Sequence, residues 1–173
     1  MKNLLLSLTF ILISLFSISV HAQEWKTLDK DDFSIEYPET WVINEAGMMG
    51  TIFILFSPLS DEKDEFRENV NLVTEDISAY DIDMDQYIEI STSQIKKLIN
   101  KGKVIESERM NNGDLIFHKL IFSGEQGEFD LIFEVYTYLL DGKAYVLTFT
   151  AEKDQFKAFK EVGEQILDSF LLN

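Results

Sequence analysis

Apolar and polar residues alternate from Phe33 to Tyr37, with Phe33, Ile35 and Tyr37 on one side and Ser34 and Glu36 on the other. This period of two predicts a half-buried strand. Pro38 closes it, and because proline has no N–H to give to a ladder, it confines the stretch to a sheet edge or a strand end, with a short edge strand the expected form. Trp41 follows the turn and reads as a core lid over the open end of a sheet, rather than a ligand platform. Glu24 to Leu28 is expected to be a short strand, joined through Asp29–Asp32 to the Phe33 strand as a hairpin. Thr51 to Ser57 is apolar on both faces, the pattern of an inner strand, and Pro58 ends it.

Asn69 to Asp76 continues as a strand, after which the period changes to that of a helix. Met84, Tyr87, Ile88, Ile95, Leu98 and Ile99 recur at helical spacing within a segment opening at Asp81 and running to about Lys101. An aspartate stands ready as N-cap, lysines gather near the C-terminus, and Gly102 is the expected stop. A meander follows: strands over Lys103–Met110, Leu115–Ser123, Glu128–Leu140 and Lys143–Ala151, joined at Asn112-Gly113, Gly124–Gly127 and Asp141-Gly142. Asn-Gly and Asp-Gly favour the positive-φ turns that connect antiparallel neighbours. A closing helix is predicted from Lys153 to about Asp168, with Phe170 returning to the core.

The meander strands are apolar on both sides: Leu115, Phe117 and Ile121 oppose Ile116, Leu120 and Phe122, and Phe133 and Val135 oppose Tyr136 and Tyr138. A sheet with one wet face would not carry this pattern, so both faces must be covered. The expected fold is α+β, a largely antiparallel sheet flanked by helices on both faces, an α/β/α sandwich.

Residues 1–22 stand apart from this pattern. Lys2 forms a basic start, Leu4 to Val20 is an uncharged apolar run, and Val20-His21-Ala22 offers small residues at signal-peptidase positions. A signal peptide over 1–22 and a single domain over 23–173 are therefore expected, with the product periplasmic or extracellular and no stable membrane insertion after cleavage. Loss of Lys2 takes the formal charge from −16 to −17. So acidic a surface repels nucleic acid and anionic lipid headgroups. There is no cysteine, hence neither a lipid-anchor site nor a disulfide.

The chemistry on offer is sparse. After cleavage His118 is the single histidine, and no G-x-S-x-G, P-loop or G-x-G-x-x-G pattern occurs. His118 shares the face of Ile116 and Leu120 and reads as a sheet histidine. Asp81, Asp83 and Asp85 are the best metal candidates, since alternating aspartates can offer three oxygens to a hard cation. They depart from a calcium loop at Gln86, where a turn glycine belongs, and at Thr92, where a bidentate glutamate belongs, so acid enrichment at a helix start is the better reading. No metal and no cofactor is expected. Tyr136 and Tyr138 could serve a recognition surface or the core. The acidic loop Leu59–Glu68 presents Asp61, Glu62, Asp64, Glu65 and Phe66 as a possible partner surface.

The F-x-I-x-Y-P-x-x-W stretch from Phe33 to Trp41, the Asn69-Val70-Asn71-Leu72-Val73 strand, the mid-chain amphipathic helix and the closing helix ending at Ser169-Phe170 together resemble the PsbP/DcrB-like superfamily. The resemblance implies the α/β/α sandwich. It also implies a non-catalytic partner of larger assemblies, because the group shares a fold more than an activity. The expected function is a binding or accessory module for a protein assembly of the cell envelope. The alternatives are a carrier holding an apolar ligand or peptide between a helix and the sheet, and a metal-dependent enzyme.

Overall fold

The computed structural model describes residues 23–113 and 115–173. The expected signal peptide, residues 1–22, lies outside them. Among the described residues the chain is α+β, dominated by antiparallel sheet and carrying two α-helices. A hairpin of β1 (Trp25–Asp29) and β2 (Phe33–Pro38) begins it, followed by β3 (Val42–Asn44), a 3-10 turn (Met48–Gly50), β4 (Phe53–Phe56) and β5 (Asn69–Asp76). Helix α1 (Met84–Leu98) leads into the meander β6 (Asn100–Asn112), β7 (Leu115–Gln126), β8 (Phe129–Leu140) and β9 (Lys143–Glu152), and α2 (Phe156–Asp168) and β10 (Leu171–Leu172) close the chain.

Seven strands form one sheet in the order β3-β4-β5-β9-β8-β7-β6, with every pair antiparallel. The meander supplies one half of the sheet, and β5, pairing along its length with β9, joins the earlier strands to it. The Asp141-Gly142 turn has φ of 51° and 74°, the doubly positive geometry for which this dipeptide is suited.

The Phe33 strand is not an edge. β2 is the middle strand of a separate three-stranded sheet, β1-β2-β10, because the last residues of the chain return to pair Leu171 with Ser34 and Leu172 with Phe33. Pro38 lies beyond that pairing at the strand end, so its missing N–H breaks no bond to β10. A two-residue strand carries no periodicity, which is why the sequence pattern misplaces its neighbour.

Alternation along β9 sorts the two faces of the large sheet. Tyr145, Leu147 and Phe149 join a core with Ile166, Leu167 and Phe170 from the C-terminal segment and Phe33 and Ile35 from β2. Val146, on the opposite side of the strand, packs with a smaller cluster of Ile95, Leu120, Phe122 and Val135. The first layer is thus a helix and a small sheet together, not a helix alone. Trp41 is 5% exposed within it, a core lid as the sequence suggests. Gly163 lets α2 approach closely: a Cβ there would stand 2.7 Å from the Phe149 ring.

Helix α1 begins later than the acidic run suggests. Asp83 accepts a hydrogen bond from the Gln86 N–H and the Gln86 side chain accepts one from the Asp83 N–H, both at 2.9 Å, a capping box that fixes the start at Met84. The helix ends at Leu98, before Gly102, because Ile99 is already extended and β6 starts at Asn100. Gly102 therefore lies in a strand. Its missing Cβ leaves room for the Ile95 carbonyl, which a side-chain atom there would meet at 2.5 Å. The last helix likewise starts at Phe156 rather than Lys153.

Candidate functional site

Helix α1 rests on the sheet through few side chains. Ile88 and Ile95 are buried while Ile90 and Leu98 remain exposed, Leu98 to 78%. Arg109 of β6 holds the helix start through Asp85 at 2.5 Å, and the Tyr87 hydroxyl donates to Glu75 of β5 at 2.8 Å. Beyond these ties the helix stands off from the strands and covers a cleft of about 280 Å³. Leu120, Phe122, Val135 and Val146 from three adjacent strands form its floor, with Ile95 and Ile99 from the helix side above. At the far end Ile99 packs into the space left by Gly124, where a Cβ would run into an Ile99 methyl.

The polar part of the lining is neutral: Ser91 and Gln94 from the helix, Thr137 and Thr148 from the sheet, and Tyr87 at one end. Burial is the main force raising the Tyr87 phenol above its ordinary range, and the Glu75 carboxylate adds to it. The cleft therefore offers apolar area and hydrogen bonds, with no carboxylate, imidazole or amine in its lining. Its volume lies near the lower end of small-ligand pockets, which run from roughly 300 to 1,000 Å³.

On the opposite sheet face stands a buried ion cluster. Lys119 of β7 reaches Glu134 of β8 at 2.8 Å and Glu164 of α2 at 3.1 Å, and Lys160 reaches Glu164 at 2.6 Å. Burial alone would lower the Lys119 pKa, but the two carboxylates outweigh it and hold the ammonium above its ordinary range. Glu134 is completely buried, and burial raises its carboxyl despite Lys119. Glu164 is pushed up by burial, but the two lysines more than offset this and hold it below the usual range. Within the cluster the Lys119–Glu164 pair crosses from the sheet to α2 and ties the helix to the sheet.

Sequence candidates fall elsewhere. His118 is 8% exposed, its Nε2 lies 2.9 Å from the Ser107 hydroxyl, and burial lowers its pKa, so it is a neutral sheet histidine at neutral pH. Asp81, Asp83 and Asp85 diverge in role: Asp83 caps α1, Asp85 pairs with Arg109, and Asp81 is exposed. Among the described residues no group of three or more histidine and acidic side chains is placed to hold a metal ion. Tyr136 and Tyr138 are core residues at 4% and 1% exposure, stacked on Phe117.

In the 59–68 loop, Asp64 accepts hydrogen bonds from the Ser60 and Phe66 N–H groups and Asp61 accepts one from the Lys63 N–H. Two of the four candidate acids thus shape the loop itself, while Glu62 and Glu65 are exposed. Phe66 does not project among the charges. It is half-buried against the Phe129 ring at 5.2 Å, because an aromatic side chain gains more from that contact than from water.

Neither a family model nor a curated protein sequence matches the chain. Solved structures do. PA94, a Pseudomonas aeruginosa protein of unknown function, superposes with a TM-score of 0.61 at 14% identity, over 84% of this chain and 94% of its own. Cyanobacterial PsbP (CyanoP) from Synechocystis sp. PCC 6803 gives 0.59 at 15% identity, over 94% and 99%. The fold is PsbP/DcrB-like. LpqN, involved in cell envelope biogenesis of Mycobacterium tuberculosis, has the same arrangement, with a TM-score of 0.59 at 11% identity over 87% of this chain and 91% of its own. Identities this low establish a PsbP-like fold and leave function to be argued from the site.

The cleft was only half legible in sequence. Ile88 and Ile95 stand at helical spacing, but Leu120, Val135 and Val146 come from three strands. They meet only through the registers Leu120–Val135 and Val135–Thr148.

Proposed function

We propose that this PsbP-like protein is an exported, non-catalytic binding module of the cell envelope, with its sheet as the central layer of an α/β/α arrangement. The observation that supports it is the cleft beneath α1. The lining provides contact area and neutral hydrogen-bonding groups, which suit holding a ligand or a partner's side chain and give no group to exchange protons near neutral pH. The envelope setting draws support from the N-terminal pattern over residues 1–22 and from the fold shared with LpqN. Within the described residues no helix is long and apolar enough to cross a membrane.

A protein partner is one reading of that role, and the carrier reading is favoured by the same cleft. The acidic loop is the second proposed partner surface, through Glu62 and Glu65, its exposed acids that make no loop-shaping bond. A photo-crosslinking amino acid at Leu98, and separately at Glu62, tests both in cells expressing the full chain. Envelope adducts from Leu98 support the cleft, adducts from Glu62 alone move the surface to the loop, and adducts from neither refute the binding role. The mature mass should begin at Gln23. A product retaining residues 1–22 in the membrane would refute export by cleavage.

A further inference from the structure

The cleft beneath α1 lies beside the most basic stretch of an acidic chain. Between Glu89 and Glu106 there are four lysines, Lys96, Lys97, Lys101 and Lys103, and no acidic residue. Lys101 is held by Glu125 of β7. Lys97 is exposed and forms no ion pair among the described residues. Lys97 lies outside the cleft lining, and Gln94 connects the two, since it lines both the cleft and a shallow groove that holds Lys97 at one end and Glu89 two helical turns away. Next to Lys97, Leu98 is 78% exposed while also lining the cleft, a large apolar side chain left at its mouth.

We propose that the cleft binds one single-chain anionic amphiphile, its aliphatic tail between α1 and the sheet and its carboxylate or phosphate head beside Lys97. This rests on the cleft being a binding site and adds the ligand class. The tail is specified by the floor of Leu120, Phe122, Val135 and Val146, which has no polar atom in its side chains to recognise anything but hydrocarbon. Its size follows from the volume: about 280 Å³, at the lower end of small-ligand pockets, suits one chain rather than two. The head is specified by charge. A lysine beside an apolar mouth attracts an anion, and an ammonium head would be repelled there.

The mature full-length chain is titrated calorimetrically with dodecanoate, lysophosphatidic acid, neutral dodecyl glucoside and dodecyltrimethylammonium, each below its micelle concentration, and tested for flotation with anionic phospholipid vesicles. The two anionic ligands should bind one to one, roughly tenfold more tightly than the neutral one, with the cationic one weakest and no vesicle flotation. Comparison of dodecanoate with lysophosphatidic acid separates a free fatty acid from a lysolipid as the source of the head. Val146→Phe, which fills the cleft, should abolish binding of all chains. Lys97→Glu, at an exposed position that keeps the fold, should remove the anionic preference and leave the neutral ligand unchanged. Equal binding of all head groups, or insensitivity to Lys97→Glu, overturns the anionic assignment while the cleft as a binding site stands. No binding of any chain up to the order of 100 µM overturns the ligand class, and crosslinking from Leu98 then decides separately whether a protein uses the site. Vesicle flotation unaffected by Val146→Phe would show a membrane surface instead.

Discussion

Replacing Lys119 with methionine isolates the energetics of the ion cluster that joins α2 to the sheet. The methionine keeps most of the aliphatic volume and removes the charge. Glu134 is completely buried and lies 2.8 Å from the ammonium, so the substitution leaves a carboxylate inside the protein with no cation to offset it. Removing one partner of a buried pair costs about 3–5 kcal/mol. Against a total stability of roughly 5–15 kcal/mol that is a large fraction. The carboxyl escapes part of the cost by taking up a proton. Burial already raises the Glu134 pKa, and loss of Lys119 raises it further. The sign follows: an acid whose folded pKa lies above its unfolded value favours folding least at high pH, so the loss in Lys119→Met should shrink as pH falls and the carboxyl protonates. Glu134→Gln leaves Lys119 its contact with Glu164 and should cost less. Lys119→Met with Glu134→Leu removes both charges and should recover most of the single-variant loss, since apolar replacement of a whole buried pair is often neutral or stabilising by about 1–4 kcal/mol. Urea unfolding followed by tryptophan fluorescence at several pH values completes the cycle. A single-variant loss below about 1 kcal/mol, or a double variant no better than Lys119→Met, would refute a desolvated pair here.

Trp41→Ala should cost about 3–5 kcal/mol in the same assay, because a large side chain at 5% exposure leaves a cavity; a loss under about 1 kcal/mol would mean the indole is not part of the core. Gly163→Ala opposes two effects, a helix-propensity gain of about 1 kcal/mol and a Cβ 2.7 Å from the Phe149 ring costing about 1–3 kcal/mol, so the melting temperature should fall and a rise would show that the ring yields freely. Asp83→Ala removes the capping box and should cost about 1 kcal/mol, with calcium having no effect on either protein; calcium stabilisation lost in the variant would restore the metal reading. Glu68, buried beside the Ser57 hydroxyl, has its carboxyl raised by burial, so its ionisation opposes folding above the ordinary carboxylate range; Glu68→Gln should stabilise at neutral pH with the gain vanishing in acid, and a pH-independent effect would exclude ionisation as the cause.

Much of the fold is legible because its elements are long relative to their period. β5 runs over Asn69–Asp76 as the alternation indicates, and the opposition of Phe133 and Val135 to Tyr136 and Tyr138 separates two clusters on the two faces of the sheet. Errors gather where the deciding contact is remote. Nothing near Phe33 announces that Leu171 and Leu172 will pair there, so β2 reads as an edge when it is a centre strand. Gly102 looks like a helix stop for a local reason, yet its role is to admit the Ile95 carbonyl beneath a strand.

The site was harder to read for a more general reason. Periodicity tells which side of an element is apolar, whereas a cleft exists where two apolar sides fail to meet. Ile88 and Ile95 look like ordinary core residues in sequence, and Leu120, Val135 and Val146 look like the sheet they should press against. α1 is tied to the strands at its start by Asp85 with Arg109 and Tyr87 with Glu75, and at its other end by Ile99 packed over Gly124, with the cleft between the helix and the sheet floor. None of these ties is a hydrophobic signal. The acids of the 59–68 loop stand out for the opposite reason, since charge density is visible in sequence while the backbone N–H groups that occupy Asp61 and Asp64 are not. A binding surface made from the spacing between elements is therefore read from where they are pinned together, and here the pins are one ion pair, one tyrosine hydroxyl and the close approach that one glycine allows.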